Sequence, residues 1–563
     1  MARRPSFVLF ITDQHRADGL GCNGHPIVRT PHIDGIAAGG VTFDRFYVNT
    51  PVCMPNRSSL MTGRMPSVHG ARANGTPLSR NAVTFVELLR AAGYATALVG
   101  KSHLQTFTGQ PALMKPPAPK PGYAAPPPHL AEAVRHDLAS ERYTNESPQF
   151  WARDGAHVEL PYYGFGHVEL VAGHGDGVDG DYRRWLLERE PKALEMIGAA
   201  NQLPHDYVCP QAVRTRLPVE LYQSSYIAQR ARAFIEAHAR ETPDTPFFLM
   251  VSFPDPHHPF NPPGKYWDMY KPEQFPVPEA FSRNDWVPPP HVAAVLAERE
   301  QGQANLLSQF SFSTTPREAQ EAAALTAGMI SLIDDCIGSV LGGLQASGRA
   351  DDTVTIFTSD HGEHLGDHRL LLKGSEQYSQ ILRVPFIWSD PETRSSAARR
   401  AAGSPQGSRP APATTPGSPQ GSRPAPAKRS SAIGSTLDIG STILDHAKVA
   451  PYAGMQGISL MPVIGGDESA GRAAAFVQYE HQRENPAFGG VPRIHTLVDK
   501  RWRLSVFDGV EWGELYDLAS DPGEFRNLWD DPANAATRAR LVEQLLRIEI
   551  AHIDRVPMPT GRA

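Results

Sequence analysis

A cysteine two residues before a proline and four before an arginine, Cys53-Met54-Pro55-Asn56-Arg57, is the spacing in this chain that points most directly to chemistry. Its surroundings, from Thr50 to Gly63, fit one short helix. Pro55 stands near the start, where a missing N–H costs little, and Gly63 stands just beyond the end. A group at the N-terminus of such a helix faces the positive end of its dipole, which favours an anionic ligand. Composition gives about 0.04 chance matches to the pattern, with Lys counted alongside Arg, so the spacing is fairly specific. Taken alone, Cys53 reads equally as a small buried cysteine beside a turn.

Chemistry at Cys53 needs partners, and four apolar runs can deliver them to one edge. Phe7 to Ile11 runs into Thr12-Asp13-Gln14-His15, and Tyr94 to Val99 into Gly100-Lys101-Ser102-His103. Phe247 to Phe253 runs into Pro254-Asp255-Pro256-His257, and Val354 to Phe357 leads to Ser359-Asp360-His361-Gly362. Runs of this length, interleaved with helix-like stretches such as Val86 to Ala92 and Glu318 to Leu344, predict buried parallel strands. Open α/β sheets hold ligands at the carboxyl ends of their strands. Any strand can end in polar residues because loops are wet. Four endings that supply acids, a lysine and histidines point to a site.

The 563 residues exceed one ordinary domain, and a 40% hydrophobic content allows a sizeable core. With 48 Gly and 52 Pro, against about 5% Pro in an average chain, long loops are expected. A net charge of -6 argues against nucleic-acid binding driven by bulk positive charge. Four cysteines are too few for a disulfide scaffold. The N-terminal apolar run is shorter than a signal-peptide core, and no membrane span is expected, so the sequence predicts a soluble, cytoplasmic protein. A homo-oligomer stays open.

Residues 105 to 220 read as an irregular Pro/Gly/aromatic excursion, either a pocket lid or a passive insertion. Trp151, Tyr162 and Tyr163 are candidate substrate walls or loop packing. Residues 392–431 are low complexity: the eleven-residue segment 403–413 recurs unchanged at 417–427, and a disordered insertion is expected. The predicted organisation is a catalytic α/β domain over 1–391 that resumes over 432–465. A smaller α+β unit over 466–563 follows, with strands near 475, 493 and 502 and a final helix from Ala535 to Ala551.

The motif resembles that of the formylglycine-dependent sulfatases of the alkaline phosphatase superfamily, close to the arylsulfatase and phosphonate monoester hydrolase branch. The likeness spans nearly the whole chain. Asp13-Gln14 matches the family's first metal-binding pair, Gly100-Lys101-Ser102-His103 its G-K-x-H segment, and Pro256-His257-His258-Pro259 its P-H-x-P loop. Ser359-Asp360-His361-Gly362-Glu363 with Gly366-Asp367-His368 resembles the second metal segment, and Lys373 before Arg383-Val384-Pro385 the next active-site lysine. Glu514 to Leu518 and Asp521-Pro522-Gly523-Glu524 resemble the C-terminal signature.

The resemblance implies an alkaline phosphatase-like fold: a large mixed, mainly parallel sheet flanked by helices, with a small C-terminal antiparallel sheet. It implies a hydrolase of sulfate monoesters, aryl sulfates favoured. A maturation enzyme would oxidise Cys53 to formylglycine. One hydroxyl of the hydrated aldehyde would attack sulfur to give a sulfated intermediate, and the other would expel sulfate. By the same resemblance Asp13, Gln14, Asp360, His361 and modified Cys53 hold one divalent cation. Carboxylates and an amide suit Ca2+, while the His361 imidazole fits Mn2+ as the alternative. Arg57 would hold the modified residue, and Lys101 and Lys373 the sulfate oxygens. His103 would serve as base and His257, or alternatively His258, as acid on the leaving oxygen. Glu363 and His368 would stand behind the metal ligands, and Asn74 matches a polar position of the phosphonate hydrolases. The alternatives are a phosphonate monoester or phosphodiester hydrolase, and a non-catalytic member that keeps the fold.

Overall fold

The first apolar run forms strand β1 (Ser6–Thr12), and its alternation sets the layering of the molecule. Phe7, Leu9 and Ile11 enter one apolar core, while Val8 and Phe10 enter a second on the opposite face. A strand that is apolar on both faces belongs in the middle of a sheet covered on both sides. In the computed structural model, β1 is indeed the fifth of nine strands. The structure describes residues 4–108, 119–130, 133–134, 137–138, 140–391, 393–394, 426–482, 484–558 and 561.

In chain order there follow β2 (Val41–Tyr47), β3 (Ala95–Gly100), β4 (His167–Ala172), β5 (Asp179–Gly180) and β6 (Phe247–Ser252). Then come β7 (Phe312–Ser313), β8 (Thr353–Ser359), β9 (Leu370–Leu371), β10 (Phe386–Ser389) and β11 (Lys428–Ser435). The main sheet runs β11-β2-β10-β8-β1-β6-β3-β4-β5. Its heart, β8-β1-β6-β3-β4, is parallel throughout, with Phe10 paired to Val251 on one side and Phe357 on the other. β10 is antiparallel to both β8 and β2, and β5 is antiparallel to β4, so the sheet is mixed but mainly parallel. β7 and β9 form a separate antiparallel ribbon.

One core carries the long helix Pro316–Ala346, which packs against helices Gln223–Glu241 and Pro31–Ala38. Its start is written in the sequence: Pro316 follows Thr315, whose hydroxyl accepts from the Glu318 N–H while the Glu318 carboxylate accepts from the Thr315 N–H. Contrary to the expectation of no span-length segment, this helix is long and apolar enough by composition to cross a membrane. Yet 78% of its most apolar window is buried within the protein, as in a core helix.

The C-terminal strands β12 (Ala475–Glu480), β13 (Arg493–Val498), β14 (Trp502–Phe507) and β15 (Gly513–Asp517) form an antiparallel sheet in sequence order. Helix Ala535–Ala551 closes one face, sending Leu541 and Leu545 among Phe476, Leu497, Leu504 and Leu515.

Two sequence expectations change. The excursion from 105 to 220 is not irregular throughout: it contains β4, a full member of the main sheet, and helix Asp181–Arg189. The low-complexity segment ends sooner than residue 431, because β11 begins at Lys428 and pairs in parallel with β2. Its core, 395–425, lies outside the described residues. The chain leaves and returns at one place. The Thr393 hydroxyl donates to the Gly39 carbonyl at 3.0 Å, and the Ala427 N–H to the Ala37 carbonyl at 3.1 Å.

The C-terminal sheet is pinned to the larger unit through a buried ion cluster, whose Glu524 also accepts from the Ser379 N–H at 2.7 Å. Arg503 is fully buried, donates to Glu514 at 2.7 Å and to Glu524, and its guanidinium lies over the Tyr516 and Tyr378 rings at 4.5 and 5.2 Å. Removing one partner of a buried pair leaves an uncompensated charge, a loss of about 3–5 kcal/mol. Arg503→Ala is therefore expected to lower the unfolding free energy obtained from denaturant titration by that amount. A shift under about 1 kcal/mol, the scale of a surface pair, would show that the cluster does not anchor the sheet.

Candidate active site

All five parallel strands point their carboxyl ends at one edge, and four of the loops beyond them are stitched together by backbone. The Asp13 N–H after β1 donates to the Asp255 carbonyl after β6, and the Asp360 N–H after β8 donates to the Thr12 carbonyl, each at 3.1 Å. The Lys101 N–H after β3 donates to the Ser252 carbonyl at 2.9 Å. Gly100 is required there: its φ of +111° is left-handed, and a Cβ would run into the Ser252 carbonyl oxygen. Gln14 and His103 take φ of 63° and 54°, a strained backbone of the kind found where side chains must be aimed.

Helix Cys53–Thr62 lies across this edge with Gly63 as its left-handed C-cap, as the spacing predicts. Its first residues do different work. The Cys53 Sγ stands 3.1 Å from His361 Nε2 and 3.8 Å from Asp13 Oδ1. The Met54 N–H, otherwise unpaired at a helix start, donates to Asn74 Oδ1 at 3.2 Å. Arg57, 1% exposed, donates through Nε to Asp360 Oδ2 at 2.7 Å and through Nη1 to Ser252 Oγ at 2.9 Å and the Lys101 carbonyl at 3.1 Å. Burial works against its charge, but Asp360 and then Asp13 outweigh that and raise its pKa.

The Lys101 ammonium contacts Asp13 Oδ2 and stands 2.7 Å from His174 Nε2. Burial raises the Asp13 pKa, yet Lys101, followed by His257 and His174, holds the carboxyl well below its usual range. Lys373 donates to Gln14 Oε1 at 2.7 Å and to His257 Nε2 at 2.9 Å. The other end of the Gln14 amide reaches Glu363 and, at 3.2 Å, His258 Nδ1. A small pocket opens over these groups, lined in part by Cys53, Asn74, His174, His257 and Lys373. His257, not His258, faces it.

The imidazoles are held neutral. The His361 Nδ1–H donates to the Gly362 carbonyl at 2.9 Å, which leaves the Nε2 lone pair facing Cys53 and Asp13. Burial, then Lys373, takes its pKa down to about 4. His257 donates through Nδ1 to the His258 carbonyl at 2.6 Å, so its Nε2 accepts from Lys373. Burial and the neighbouring His174, His258 and Lys373 push its pKa well down. His103 is likewise lowered by burial and Lys101. Its ring stacks on Phe107 at 3.9 Å, and its Nδ1 has no protein partner.

Oxygen, nitrogen and sulfur donors of Asp13, Cys53, Asp360 and His361 lie within 4.8 Å of one another, all buried, so this cluster can hold a metal ion. Two carboxylates with an imidazole of fixed tautomer are the donor chemistry of a divalent-cation site. Gln14 sits beside the cluster, with its amide taken up by Lys373, Glu363 and His258.

Sequence reasoning missed two residues. His174 follows β4, 3.5 Å from Asp13 Oδ2, with its ring stacked on His257 at 3.6 Å. Its only signal was the run Val168 to Ala172 ending in Gly-His-Gly. Glu146, fully buried, accepts from the backbone N–H groups of His103, Leu104 and Gln105 at 2.6, 3.0 and 3.1 Å and from the Tyr162 hydroxyl at 2.7 Å. Tyr162 and Tyr163 are therefore core residues behind the site rather than substrate walls, and the Trp151 indole donates to the Asn145 carbonyl. His368 also departs from expectation: it stacks on Tyr378 at 3.6 Å and faces the Glu524 carbonyl, while Glu363 does touch Gln14.

Glu146 fixes the loop that carries His103, so Glu146→Gln, which cannot accept from all four donors, is expected to misplace the imidazole. A displacement of about 1 Å costs up to ~10²-fold in kcat. A variant with unchanged kcat and intact circular dichroism would remove Glu146 from that role.

The arrangement is matched by known proteins. The sulfatase family model matches residues 5–449, and a model for the C-terminal region of N-sulphoglucosamine sulphohydrolase matches residues 422–551. The arylsulfatase of Clostridium perfringens is 26% identical over 93% of this chain and 90% of its own length. The multifunctional alkaline phosphatase superfamily protein PehA of Trinickia caryophylli is 26% identical over 98% of this chain and 96% of its own. The crystal structure of the phosphonate monoester hydrolase of Agrobacterium radiobacter superposes with a TM-score of 0.73 at 25% identity, covering 98% of this chain and 97% of that one. With most of its length matched by the family model and its fold that of these enzymes, the chain belongs to the sulfatase family, as a sulfuric ester hydrolase.

Proposed function

We propose that the chain hydrolyses sulfate monoesters, aryl sulfates above all, with a formylglycine made from Cys53 as nucleophile and one divalent cation beside it. The observation that carries this reading is the placement of Cys53. It lies at a helix start, against Asp13 and His361, under a pocket that also holds His174, His257 and Lys373. A separate maturation enzyme would supply the oxidation. The hydrated aldehyde supplies one hydroxyl to attack sulfur and a second whose deprotonation releases sulfate. Asp13, Asp360 and His361, with Gln14 adjacent, would hold the cation, which would supply stabilisation of negative charge on the reacting oxygens. The carboxylates favour Ca2+, and the imidazole of His361 leaves Mn2+ as the alternative.

The remaining steps belong to the chain's own side chains. Lys101 and Lys373 bind the nonbridging sulfate oxygens, and Arg57 orients Asp360 and residue 53. His103, neutral and with a free Nδ1, is suited to take a proton. His257 is neutral and accepts from Lys373, so the proton for the leaving oxygen resides on the Lys373–His257 pair rather than on a free imidazolium.

The likeness to the phosphonate monoester hydrolase favours one second reading, hydrolysis of phosphonate monoesters or phosphodiesters at the same site. Lys101 and His103, the pair that resembles the sulfatases, favour sulfate.

The deciding measurement is kcat/KM for an aryl sulfate, a phosphonate monoester and a phosphodiester, with the chain co-expressed with a maturation enzyme. A sulfate preference abolished in Cys53→Ala is expected; a phosphonate or diester preference moves the chain to the second reading. Stripping the cation with a chelator is expected to stop turnover and lower Tm. An ion at about 100 times its dissociation constant contributes roughly 2.7 kcal/mol to stability. A Tm insensitive to Ca2+ and Mn2+ alike would count against the metal assignment.

A further inference from the structure

A cleft of ≈ 540 Å³ is lined by both units of the fold, well inside the roughly 300–1,000 Å³ range of ligand pockets. The larger unit contributes the loop after β1, parts of β2 and β11, and the segment 379–383; the smaller contributes Lys500 and the turn after β15. No residue that lines it also lines the pocket over Cys53. Two carboxylates line the cleft, and both are already matched. Asp18 accepts from Arg16 through both oxygens, at 2.8 and 2.7 Å, and Asp44 accepts from Arg429 Nε at 2.8 Å. Arg16 is itself fully engaged, because its Nη1 also donates to Asp367 at 2.7 Å and to the His364 carbonyl at 2.8 Å.

Three cations are left in surplus. Arg45 donates through Nη1 to the Lys500 carbonyl at 2.5 Å and pairs with no carboxylate among the described residues. The half-buried Arg383 guanidinium makes no hydrogen bond or ion pair with any described residue, and neither does the Lys500 ammonium. Tyr47 is only 5% exposed, yet its hydroxyl has no hydrogen-bond partner among the described residues and is not sealed in the interior. Burial raises its pKa, so it remains a donor. Arg383 and Arg45 act on that hydroxyl more strongly than the carboxylates of Glu524 and Asp499. Those two are occupied as well, Glu524 by Arg503 and the Ser379 N–H, Asp499 by the N–H groups of Arg501 and Trp502. Surplus positive charge in a cleft concentrates anions, and a guanidinium with an open fork matches the oxygens of sulfate or phosphate. Ser379, Gln380 and Ser431, also on the lining, suit the hydroxyls of a polar carrier.

We propose that this cleft is a second anion site, separate from the catalytic edge, which binds the sulfate or phosphate group of a small polyol ester through Arg383, Arg45, Lys500 and the Tyr47 hydroxyl. Because Lys500 belongs to the smaller unit and the other three to the larger, the occupant bridges the two. The site stands whichever ester the catalytic edge cleaves.

The test is calorimetric titration of the full chain carrying Cys53→Ala, so that no ester is turned over. The probes are glucosamine 6-sulfate, glucose 6-phosphate, and inorganic sulfate and phosphate. On that background Arg383→Gln is expected to raise Kd at the cleft at least about tenfold, the loss of a charge-assisted contact, and Lys500→Gln about threefold. Lys373→Gln, which weakens anion binding at the catalytic edge, is expected to leave the cleft event unchanged. The tighter of the two esters identifies the group that the cleft takes. The ester is also expected to raise Tm in the Cys53→Ala chain and to raise it less in Arg383→Gln and Lys500→Gln, since binding to the folded state alone stabilises it. Binding that disappears in Lys373→Gln and survives in Arg383→Gln places every anion at the catalytic edge and overturns the proposal. So does a Kd above about 1 mM for all four probes. Inorganic ions that bind as tightly as their esters overturn the polyol carrier. Where Arg383→Gln does not fold, Arg45→Gln and Lys500→Gln decide by the same criterion: an unchanged Kd in both overturns the site.

Discussion

The buried pair between Arg57 and Asp360 is the contact on which the rest of the site depends. Two opposite charges, each 1% exposed or less, meet at 2.7 Å at the edge of a sheet. Desolvating them is costly, and only good geometry with every remaining donor and acceptor occupied offsets that cost. The surroundings meet most of this demand. Asp360 accepts from the Gln14 N–H through its second oxygen, and Arg57 donates through Nη1 to both the Lys101 carbonyl and Ser252, while its Nη2 faces the Asp13 carboxylate at 4.0 Å without a hydrogen bond. Arg57 comes from the helix Cys53–Thr62, and the groups around it, Asp360, Gln14, Lys101 and Ser252, come from the ends of β8, β1, β3 and β6, so the adjacency of these four strands is what surrounds the pair.

This is why so much of the site could be read in the sequence. The four apolar runs ending in acids, lysine and histidines became β1, β3, β6 and β8, and Pro55 and Gly63 framed the helix at Cys53. Those signals are local: an alternating or apolar run, a capping residue, a polar terminus. What stayed hidden was non-local. β4 escaped notice because it begins half-buried and polar, with His167 and Glu169, as suits a strand near the sheet's end. Glu146 is one glutamate among many until its three backbone donors are seen in space. Phe310 and Tyr479 lie 169 residues apart in the chain, and nothing short of the tertiary fold places them on one pocket.

The C-terminal sheet has a double relation to the chemistry. Through Arg503, Glu514 and Glu524 it is locked to the segment around Tyr378, a few residues beyond Lys373. Through Tyr479 it reaches the pocket directly. The small unit thus braces the larger one and also lines its pocket, and the other residues around that pocket come from the larger unit.

The closeness of the two ends of the low-complexity segment has a practical meaning. Thr393 and Ala427 both settle on the stretch from Ala37 to Gly39, beside β2 and β11 and away from the strands that carry the charged residues. When a chain exits and re-enters at one point, the cost of what lies between grows only logarithmically with its length. The protein thereby carries a ready insertion port, where a fluorescent reporter or a carbohydrate-binding module could be spliced without asking the catalytic edge to move.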